Sequence, residues 1–256
     1  MARVGFIGTG VIADAMVRGI AEDGHQILVS ERNANTANAL ALAFCGVRVA
    51  DNQSVIDASD IVILCLMDDA AREVLPGLNF HRDQTVFSAM ARFSNDELCQ
   101  HVGPADAGGT LIPFPFIARG NSPILTLLTN STAQKLLEEL FGGRNTLFHL
   151  QSTAEFKSMM ALQAIVLPSL TRLCHAVAWA ESENLDPVLA EGFLRHLVGG
   201  FMLSEPLDAP HLKAMAASLG TPGGLNATLD QLLSGDDSEA LLKQGLVALK
   251  ASLEED

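Results

Sequence analysis

Two glycines and an alanine near the start of the chain have the spacing of a phosphate-binding turn. Residues 8–13 are Gly-Thr-Gly-Val-Ile-Ala. Gly8 permits a tight turn, Gly10 places no Cβ between the backbone and a pyrophosphate, and Ala13 lets a helix pack closely on a strand. The start of that helix offers free N–H groups and the positive end of the helix dipole to an anion. The expected dinucleotide contacts are Gly8, Thr9, Gly10, Val11 and Ile12.

The segments around this turn have the pattern that dinucleotide binding requires. Residues 3–7 form an apolar strand pattern, a helical pattern follows through Ile20, and residues 26–30 predict a second strand. A glycine motif placed between a strand and a helix is much more specific than the same motif alone. A glycine-rich turn in an ordinary α/β domain is the alternative interpretation.

Strand and helix patterns then alternate to about residue 150. Residues 60–66 are apolar without alternation, which is typical of a strand buried on both faces of a parallel sheet. Alternating strands and helices predict a doubly wound α/β sheet with right-handed crossovers. We therefore expect a Rossmann dinucleotide-binding domain over residues 1–150. Further strands are expected at residues 47–49, 85–87, 110–112, 124–128 and 146–150.

The second part of the chain, residues 151–256, predicts helices only. Residues 155–183 form one long helical stretch that is apolar nearly all round from 159 to 167. A helix with apolar residues on every side must be covered on every side, so we expect a homodimer or higher homo-oligomer formed through these helices. Pro168 removes one backbone hydrogen bond and crowds residue 164, which should kink or split the helix.

The end of the second strand bears on the choice between NADH and NADPH. The residues there are Ser30, Glu31 and Arg32. A carboxylate at this place accepts from the ribose 2′-OH, whereas an arginine pairs with a 2′-phosphate. A pocket formed by Ser30 and Arg32 favours NADPH, and a Glu31 side chain directed at the ribose favours NADH. Our expectation is NADPH, with NADH open.

A second glycine motif lies late in the chain, where residues 221–228 are Thr-Pro-Gly-Gly-Leu-Asn-Ala-Thr. A Pro-Gly-Gly turn that opens a helix leaves backbone N–H groups free, and these suit a substrate carboxylate. A tight connection between two helices is the alternative interpretation of the same residues.

Together the two motifs and the chain length resemble pyrroline-5-carboxylate reductases. The resemblance is good over residues 3–80 and 215–250 and weak between them. It implies a Rossmann domain followed by a helical dimerisation domain, and reduction of a cyclic imine to proline with NAD(P)H. It also implies a small-molecule substrate held between the nicotinamide and the Pro-Gly-Gly turn, which the partner subunit supplies or supports.

The resemblance also implies roles for individual residues. Asn226 would orient the imine nitrogen, and the N–H groups of Gly223 and Gly224 would receive a carboxylate. Gln163, on the long helix, is an expected polar contact; a partly buried structural glutamine is the alternative. The remaining substrate-binding positions are Thr221 and Leu225, and the remaining cofactor-binding positions are Leu66, Met67 and Pro113.

Several substrate-side positions depart from the family pattern. Thr221 stands where the family has serine, and Asn226 stands where it has a threonine thought to help protonate the imine. An amide donates hydrogen bonds but is no proton donor at neutral pH. Phe114 replaces a cofactor-binding asparagine, and the family's Lys-Pro after the fourth strand is Met67-Asp68 here. We therefore expect a retained cofactor half and a more apolar substrate half.

Two other functions are compatible with these residues. A 3-hydroxy-acid dehydrogenase would use a lysine on a comparable long helix, and Lys157 is the candidate, although it lacks the glycine-rich signature of that class. A cofactor-binding or regulatory protein without catalysis would explain the lost threonine and asparagine. His175 and His196 lie among apolar helical residues and are expected to be core or interface histidines.

Composition limits the range of partners. The formal net charge is −14, which disfavours binding to nucleic acid or to an anionic membrane. The apolar runs at residues 61–67 and 159–167 are too short to span a bilayer. Four widely spaced cysteines without a Cys-x-x-Cys pair are typical of reduced thiols in a cytoplasmic protein. We expect no metal site.

Overall fold

The computed structural model describes residues 1–233 and 238–253. The chain divides into two compact units, one of residues 1–159 and one that begins at Met160. The last strand ends at His149, ten residues before the end of the first unit. The domain limits of 1–150 and 151–256 stay a prediction.

The first unit is built on an eight-stranded sheet in the order β3-β2-β1-β4-β5-β6-β7-β8. All neighbouring strands are parallel except β6 and β7, which are antiparallel. The predicted fold class, a doubly wound Rossmann sheet, is confirmed. The strands are β1 Arg3–Ile7, β2 Gln26–Ser30, β3 Val47–Ala50, β4 Ile61–Leu64, β5 Thr85–Ser88, β6 Asp106–Ile112, β7 Pro123–Leu128 and β8 Thr146–His149.

Helical segments connect these strands. A short 3₁₀ segment, Pro115–Arg119, follows β6, and a π-helical turn, Glu138–Gly142, extends the helix before β8. The α-helices of this part are α1 Val11–Ile20, α2 Ala34–Ala43, α3 Asn52–Asp57, α4 Asp68–Val74, α5 Asn95–Val102 and α6 Ser131–Leu137.

Two apolar clusters form the core of the first unit. One includes Phe6, Met16 and Phe87, and the other includes Ile7, Val62 and Phe93. Phe6 and Ile7 are consecutive residues of β1 and belong to different clusters. Because successive side chains of a strand point to opposite faces of a sheet, both faces are covered.

The long helical stretch is broken close to the predicted place. Helix α7 covers Thr153–Leu162, a 3₁₀ turn covers Gln163–Ile165, and α8 covers Val166–Ser182. The break includes Ala164, whose carbonyl would accept the hydrogen bond that Pro168 cannot donate. The remaining helices of the second unit are α9 Pro187–Met202, α10 Leu212–Leu219, α11 Leu225–Leu233 and α12 Ser238–Ser252.

The helices of the second unit expose many large apolar side chains. Leu189, Phe193 and Leu197 follow one another at four-residue spacing along α9, and Trp179 is exposed on α8. By length and composition alone, the helical stretch Thr153–Ser182 could cross a membrane, and only 6% of its most apolar window is buried. This stretch is longer than the apolar runs that we took as too short, and the expectation of no membrane contact stays a prediction.

Candidate functional site

A cavity of about 480 Å³ opens at the carboxyl ends of β1, β2 and β4. The chain leaves β1 toward β2 on one side, whereas β4 lies on its other side and leads to β5. Such a switch point is where doubly wound sheets bind their ligands. The lining residues are Gly8, Thr9, Gly10, Arg32, Asn33, Ala34, Asn35, Cys65, Leu66 and Met67.

The two glycines of the motif have different structural roles. Gly8 has φ +92°, and a Cβ on it would lie 2.3 Å from the backbone oxygen of Cys65. The fold therefore requires a residue without a side chain at position 8. Gly10 has φ −87°, and a Cβ on it would meet no atom within 4 Å. The space above Gly10 is open, and a ligand backbone can approach it closely.

The start of α1 is suited to a pyrophosphate. Gly10 is the N-cap and has no side-chain hydrogen bond that would occupy the first N–H groups of the helix. Val11, the first helical residue, is 74% exposed. An open surface, free N–H donors and the positive end of the helix dipole together fit an anionic phosphate. The residues present therefore fit a dinucleotide.

Ser30 is hydrogen-bonded to the glycine turn and does not line the cavity. It is buried, and its Oγ accepts a hydrogen bond of 2.8 Å from the N–H of Gly8. The Thr9 hydroxyl donates to the carbonyl oxygen of Ser30. The sequence suggested Ser30 as a wall of the cofactor pocket. Its position differs because its hydroxyl is needed to satisfy the buried N–H of Gly8.

Arg32 and Glu31 lie differently with respect to the cavity. Arg32 lines it together with Asn33, Ala34 and Asn35, and Glu31 is absent from the lining. The backbone N–H of Glu31 donates to the carbonyl of Ala50 on β3. The charged group in the wall is therefore a cation.

The opposite wall is formed by the residues that follow β4. Met67 is the N-cap of α4 and is 79% exposed, whereas Cys65 packs against the core. Burial raises the pKa of the Cys65 thiol to about 12. The side chain therefore stays a neutral thiol at physiological pH and serves as packing, because the thiolate is the reactive form.

Pro113 lies at the end of β6, outside the cavity lining. It is buried, and the next residues form an aromatic pair: the rings of Phe114 and Phe116 are stacked at 5.8 Å between centroids. The 3₁₀ segment Pro115–Arg119 packs on α1, where a Cβ at Gly19 would lie 3.1 Å from the carbonyl oxygen of Ile117.

In the second unit, the Pro-Gly-Gly segment forms a tight turn. The N–H of Gly224 donates to the carbonyl of Thr221 at 2.9 Å, and Gly223 has φ +75°. Proline and a positive-φ glycine at the two central positions are typical of a type II turn. The Gly224 N–H, which we expected to receive a carboxylate, is therefore occupied within the turn. The first N–H groups of α11, at Leu225, Asn226 and Ala227, have no acceptor one turn earlier in that helix.

The other predicted substrate residues lie in the same unit. Leu225 is 92% exposed and Asn226 is also exposed. The Gln163 amide lies in the 3₁₀ turn before α8 and donates to the sulfur of Met160 at 3.7 Å. This contact matches the structural alternative for Gln163.

Some lining residues were missed at the sequence level. Asn33, Ala34 and Asn35 open α2, and the side chain of Asn33 caps that helix by accepting from the Thr36 N–H. An asparagine directly after a strand is an N-cap signal that could have located this helix start. Lys157 is half-buried in α7 of the same unit and is not part of the cavity lining. Within residues 1–233 and 238–253, no group of three or more His, Cys, Asp or Glu side chains could hold a metal.

Residues 3–92 match the family model described as NADP oxidoreductase, coenzyme F420-dependent. No curated protein sequence matches the chain significantly.

Solved structures of pyrroline-5-carboxylate reductases have the same fold over nearly the whole chain. The enzyme from Streptococcus pyogenes is 22% identical with a TM-score of 0.77, covering 100% of this chain and 99% of its own. That from Coxiella burnetii is 18% identical with a TM-score of 0.81, covering 99% and 98%. The Plasmodium falciparum enzyme, solved with NADP bound, is 16% identical with a TM-score of 0.79, covering 99% and 97%.

These similarities confirm the predicted resemblance at the level of fold. The chain has the fold of the pyrroline-5-carboxylate reductases, and its residues 3–92 are similar to a family of NADP oxidoreductases.

Proposed function

We propose that this protein is an NADPH-dependent reductase of a cyclic imine. The observation that carries the proposal is the open space above Gly10 at the free N-terminus of α1, in a cavity that Arg32 also lines. The shared fold with pyrroline-5-carboxylate reductases supports the type of reaction.

Imine reduction requires little acid–base chemistry from the protein. When bound, NADPH supplies the hydride that reduces the C=N carbon, and the nitrogen takes a proton from water. The chain has to hold the two reactants in contact and favour the iminium form. In the proposed mechanism, the first N–H groups of α1 bind the pyrophosphate and the Asn226 amide orients the imine nitrogen.

The proposed preference for NADPH follows from the charge of the residues that line the cavity. A guanidinium can form paired, charge-assisted hydrogen bonds with a 2′-phosphate. Arg32 lies in the wall, and Glu31, which would repel that phosphate, does not. Asn33 and Asn35 offer further amide donors beside it.

The proposed assembly is a homodimer, or a higher homo-oligomer, formed through the helices of the second unit. Its support is the run of exposed apolar side chains on α8 and α9. Contiguous apolar surface of this kind marks an interaction site. A cytoplasmic location is also proposed, because all four cysteines are free thiols.

The test is turnover of cyclic imines by the purified protein with NADPH and with NADH, alongside an Asn226→Ala variant. The expected result is oxidation of NADPH that depends on the imine and falls at least about tenfold in the variant. Binding of NADPH without turnover of any imine would assign the chain a cofactor-binding role instead. Reduction of NADP⁺ by 3-hydroxy acids, without oxidation of NADPH by any imine, would favour the dehydrogenase alternative, with Lys157→Ala as its test.

A further inference from the structure

The turn between β1 and α1 has only one side chain of its own. Gly8 and Gly10 carry none, so Thr9 is the single side chain of residues 8–10. Glycine has more accessible backbone conformations than other residues, and a mobile turn would lose this freedom when a pyrophosphate binds. A turn that binds the pyrophosphate tightly therefore has to be held in place before the ligand arrives.

Hydrogen bonds to the end of β2 hold this turn. The Ser30 Oγ accepts from the N–H of Gly8 at 2.8 Å, and the Thr9 hydroxyl donates to the carbonyl oxygen of Ser30. The two hydroxyl oxygens lie 3.4 Å apart. We call these contacts the Ser30–Thr9 network. They connect residues more than 20 positions apart, so they fix the turn to the neighbouring strand.

Both hydroxyls of this network are shielded from water. Ser30 is fully buried, and Thr9 is 2% exposed although it also lines the cavity. A hydrogen bond in the protein interior is electrostatically stronger than in water, and linked hydrogen bonds strengthen one another. The Thr9 hydroxyl is therefore engaged with Ser30 and acts on a ligand through the backbone of the turn.

The turn leads directly into the helix start that fits a pyrophosphate. On its β4 side the turn is held by packing, because a Cβ at Gly8 would lie 2.3 Å from the Cys65 oxygen. The first hydrogen bond of α1, from the Asp14 N–H to the Gly10 carbonyl at 2.9 Å, begins one residue after Thr9. A displacement of Thr9 therefore moves the free N–H groups of α1.

We propose that Ser30 and Thr9 are positioning residues for the dinucleotide: their network holds the first N–H groups of α1 in the geometry that binds the pyrophosphate. The inference rests on the dinucleotide binding of the proposed function and deepens it. NADPH and NADH share the pyrophosphate, so the network contributes equally to the affinity for both. Arg32 differs in this respect, because a 2′-phosphate is present in NADPH alone.

The test compares variants that keep and remove each hydroxyl. Fluorescence titration of the full-length protein gives Kd for NADPH and for NADH. Thr9→Val keeps the shape of the side chain without its hydroxyl and should raise both values about tenfold, whereas Thr9→Ser keeps the hydroxyl and should stay within about twofold of the wild type. Ser30→Ala removes the acceptor of the Gly8 N–H and should also raise both values about tenfold.

Two buried hydroxyls away from the cavity provide matched controls. Thr126 on β7 is fully buried and donates to the carbonyl of Phe148 at 3.3 Å. Ser59 is 2% exposed and donates to the carbonyl of Val55 at 2.6 Å. Thr126→Val and Ser59→Ala should lower the urea midpoint of unfolding, as the loss of a buried hydrogen bond does, and should leave both Kd values unchanged.

A measurement on the cofactor-free protein tests the network itself. Hydrogen–deuterium exchange of a peptide that contains residues 8–12 should be faster in Ser30→Ala than in the wild type, because the Gly8 N–H loses its acceptor. The same peptide should exchange at the wild-type rate in Thr126→Val. Circular dichroism at the temperature of the titrations confirms that each variant is folded.

The outcomes separate this inference from the proposed function. Unchanged affinity in Thr9→Val and Ser30→Ala, an equal loss in Thr9→Ser, or a loss that the two controls reproduce overturns the positioning role. A loss confined to NADPH also overturns it, because the network would then act through the 2′-phosphate. Each of these results leaves imine reduction standing. NADPH binding that Thr9→Val weakens as expected, with no reduction of any imine, overturns the proposed function and leaves the positioning role.

Discussion

The two units of this chain differ in how far their large apolar side chains are buried. In the first, Phe6, Ile7 and Phe87 are fully buried in clusters that cover both faces of the sheet. In the second, side chains such as Trp179 and Phe193 stay more than half exposed. A sheet with helices on both faces closes its own core, whereas the helices of the second unit leave apolar faces open. The comparison shows that the first unit buries its core within one chain, and it supports the proposal that the second unit packs against a partner surface.

The largest expected effect is that of charged substitutions on α9, in the proposed partner surface, on the mass of the oligomer. Leu189, Phe193 and Leu197 recur at four-residue spacing on α9, so they share one helix face. A double substitution, Phe193→Glu with Leu197→Glu, should dissociate the oligomer to a monomer, because each carboxylate would have to be buried at the interface. Light scattering coupled to size-exclusion chromatography measures the mass.

The matched control for this prediction is Leu42→Glu, which changes a side chain that is 89% exposed on α2 of the first unit. It should leave the mass unchanged. A wild-type protein that is monomeric in solution but sediments with lipid vesicles would refute the dimer and assign the apolar helices to a membrane.

The second prediction separates the two glycines of the cofactor turn within the self-contained unit. Gly8→Ala places a Cβ 2.3 Å from the Cys65 oxygen at φ +92°, so we expect it to lower the free energy of unfolding by about 2–4 kcal/mol. Gly10→Ala meets no atom within 4 Å and should leave stability within about 0.5 kcal/mol. Its Cβ should nevertheless weaken NADPH binding at least about tenfold.

Urea unfolding and fluorescence titration measure these two quantities. Equal destabilisation by the two substitutions, or unchanged NADPH affinity in Gly10→Ala, would contradict the distinction between a glycine required by the fold and one required by the ligand.

The third prediction concerns the cation of the cavity wall. Arg32→Ala should weaken NADPH binding about 10- to 100-fold, the size of a lost charge-assisted hydrogen-bond pair, and should leave NADH binding unchanged. Arg82→Ala, which removes an exposed arginine before β5, is the control. A parallel loss of NADH affinity in Arg32→Ala would mean that Arg32 contacts the shared part of the two cofactors.

The smallest expected effect is a pH dependence inside the first unit. The Ser94 N–H donates to the Glu97 carboxylate, and Arg72 pairs with it, which holds the pKa of Glu97 below its ordinary value of 4.5. A lowered pKa stabilises the folded state above the unfolded-state pKa, and this contribution is lost as the pH falls through the folded-state pKa. Glu97→Ala should cost about 1 kcal/mol at pH 7.

The same substitution should cost distinctly less below pH 4. Urea unfolding at both pH values measures the difference, with Glu139→Ala, an exposed acid in the π-helical turn, as control. A cost for Glu97→Ala that does not change with pH would assign its effect to packing alone.

Much of the cofactor site followed from local sequence patterns, and parts of it did not. Gly8, Thr9, Gly10, Arg32, Leu66 and Met67 were predicted and line the cavity. The other predicted cofactor residues are outside the lining: Val11, Ile12, Ser30, Glu31 and Pro113. The side chains of consecutive residues at a strand end point in different directions. Which of them points into the cavity depends on the hydrogen bonds of the folded chain, such as that between Ser30 and the Gly8 N–H. The Gly224 N–H was expected to receive a carboxylate but donates to the carbonyl of Thr221, because the backbone of residues 221–224 closes into a hydrogen-bonded turn.

The sequence alone determined the alternation of strands and helices, the phosphate-binding turn and the break near Pro168, because each of these depends on residues close together in the chain. Tertiary structure decided the strand order, the reversal between β6 and β7, and the assembly of Arg32, Cys65 and Met67 around one cavity. These features depend on hydrogen bonds and packing between segments far apart in sequence. Local periodicity carries no information on which strand lies beside which.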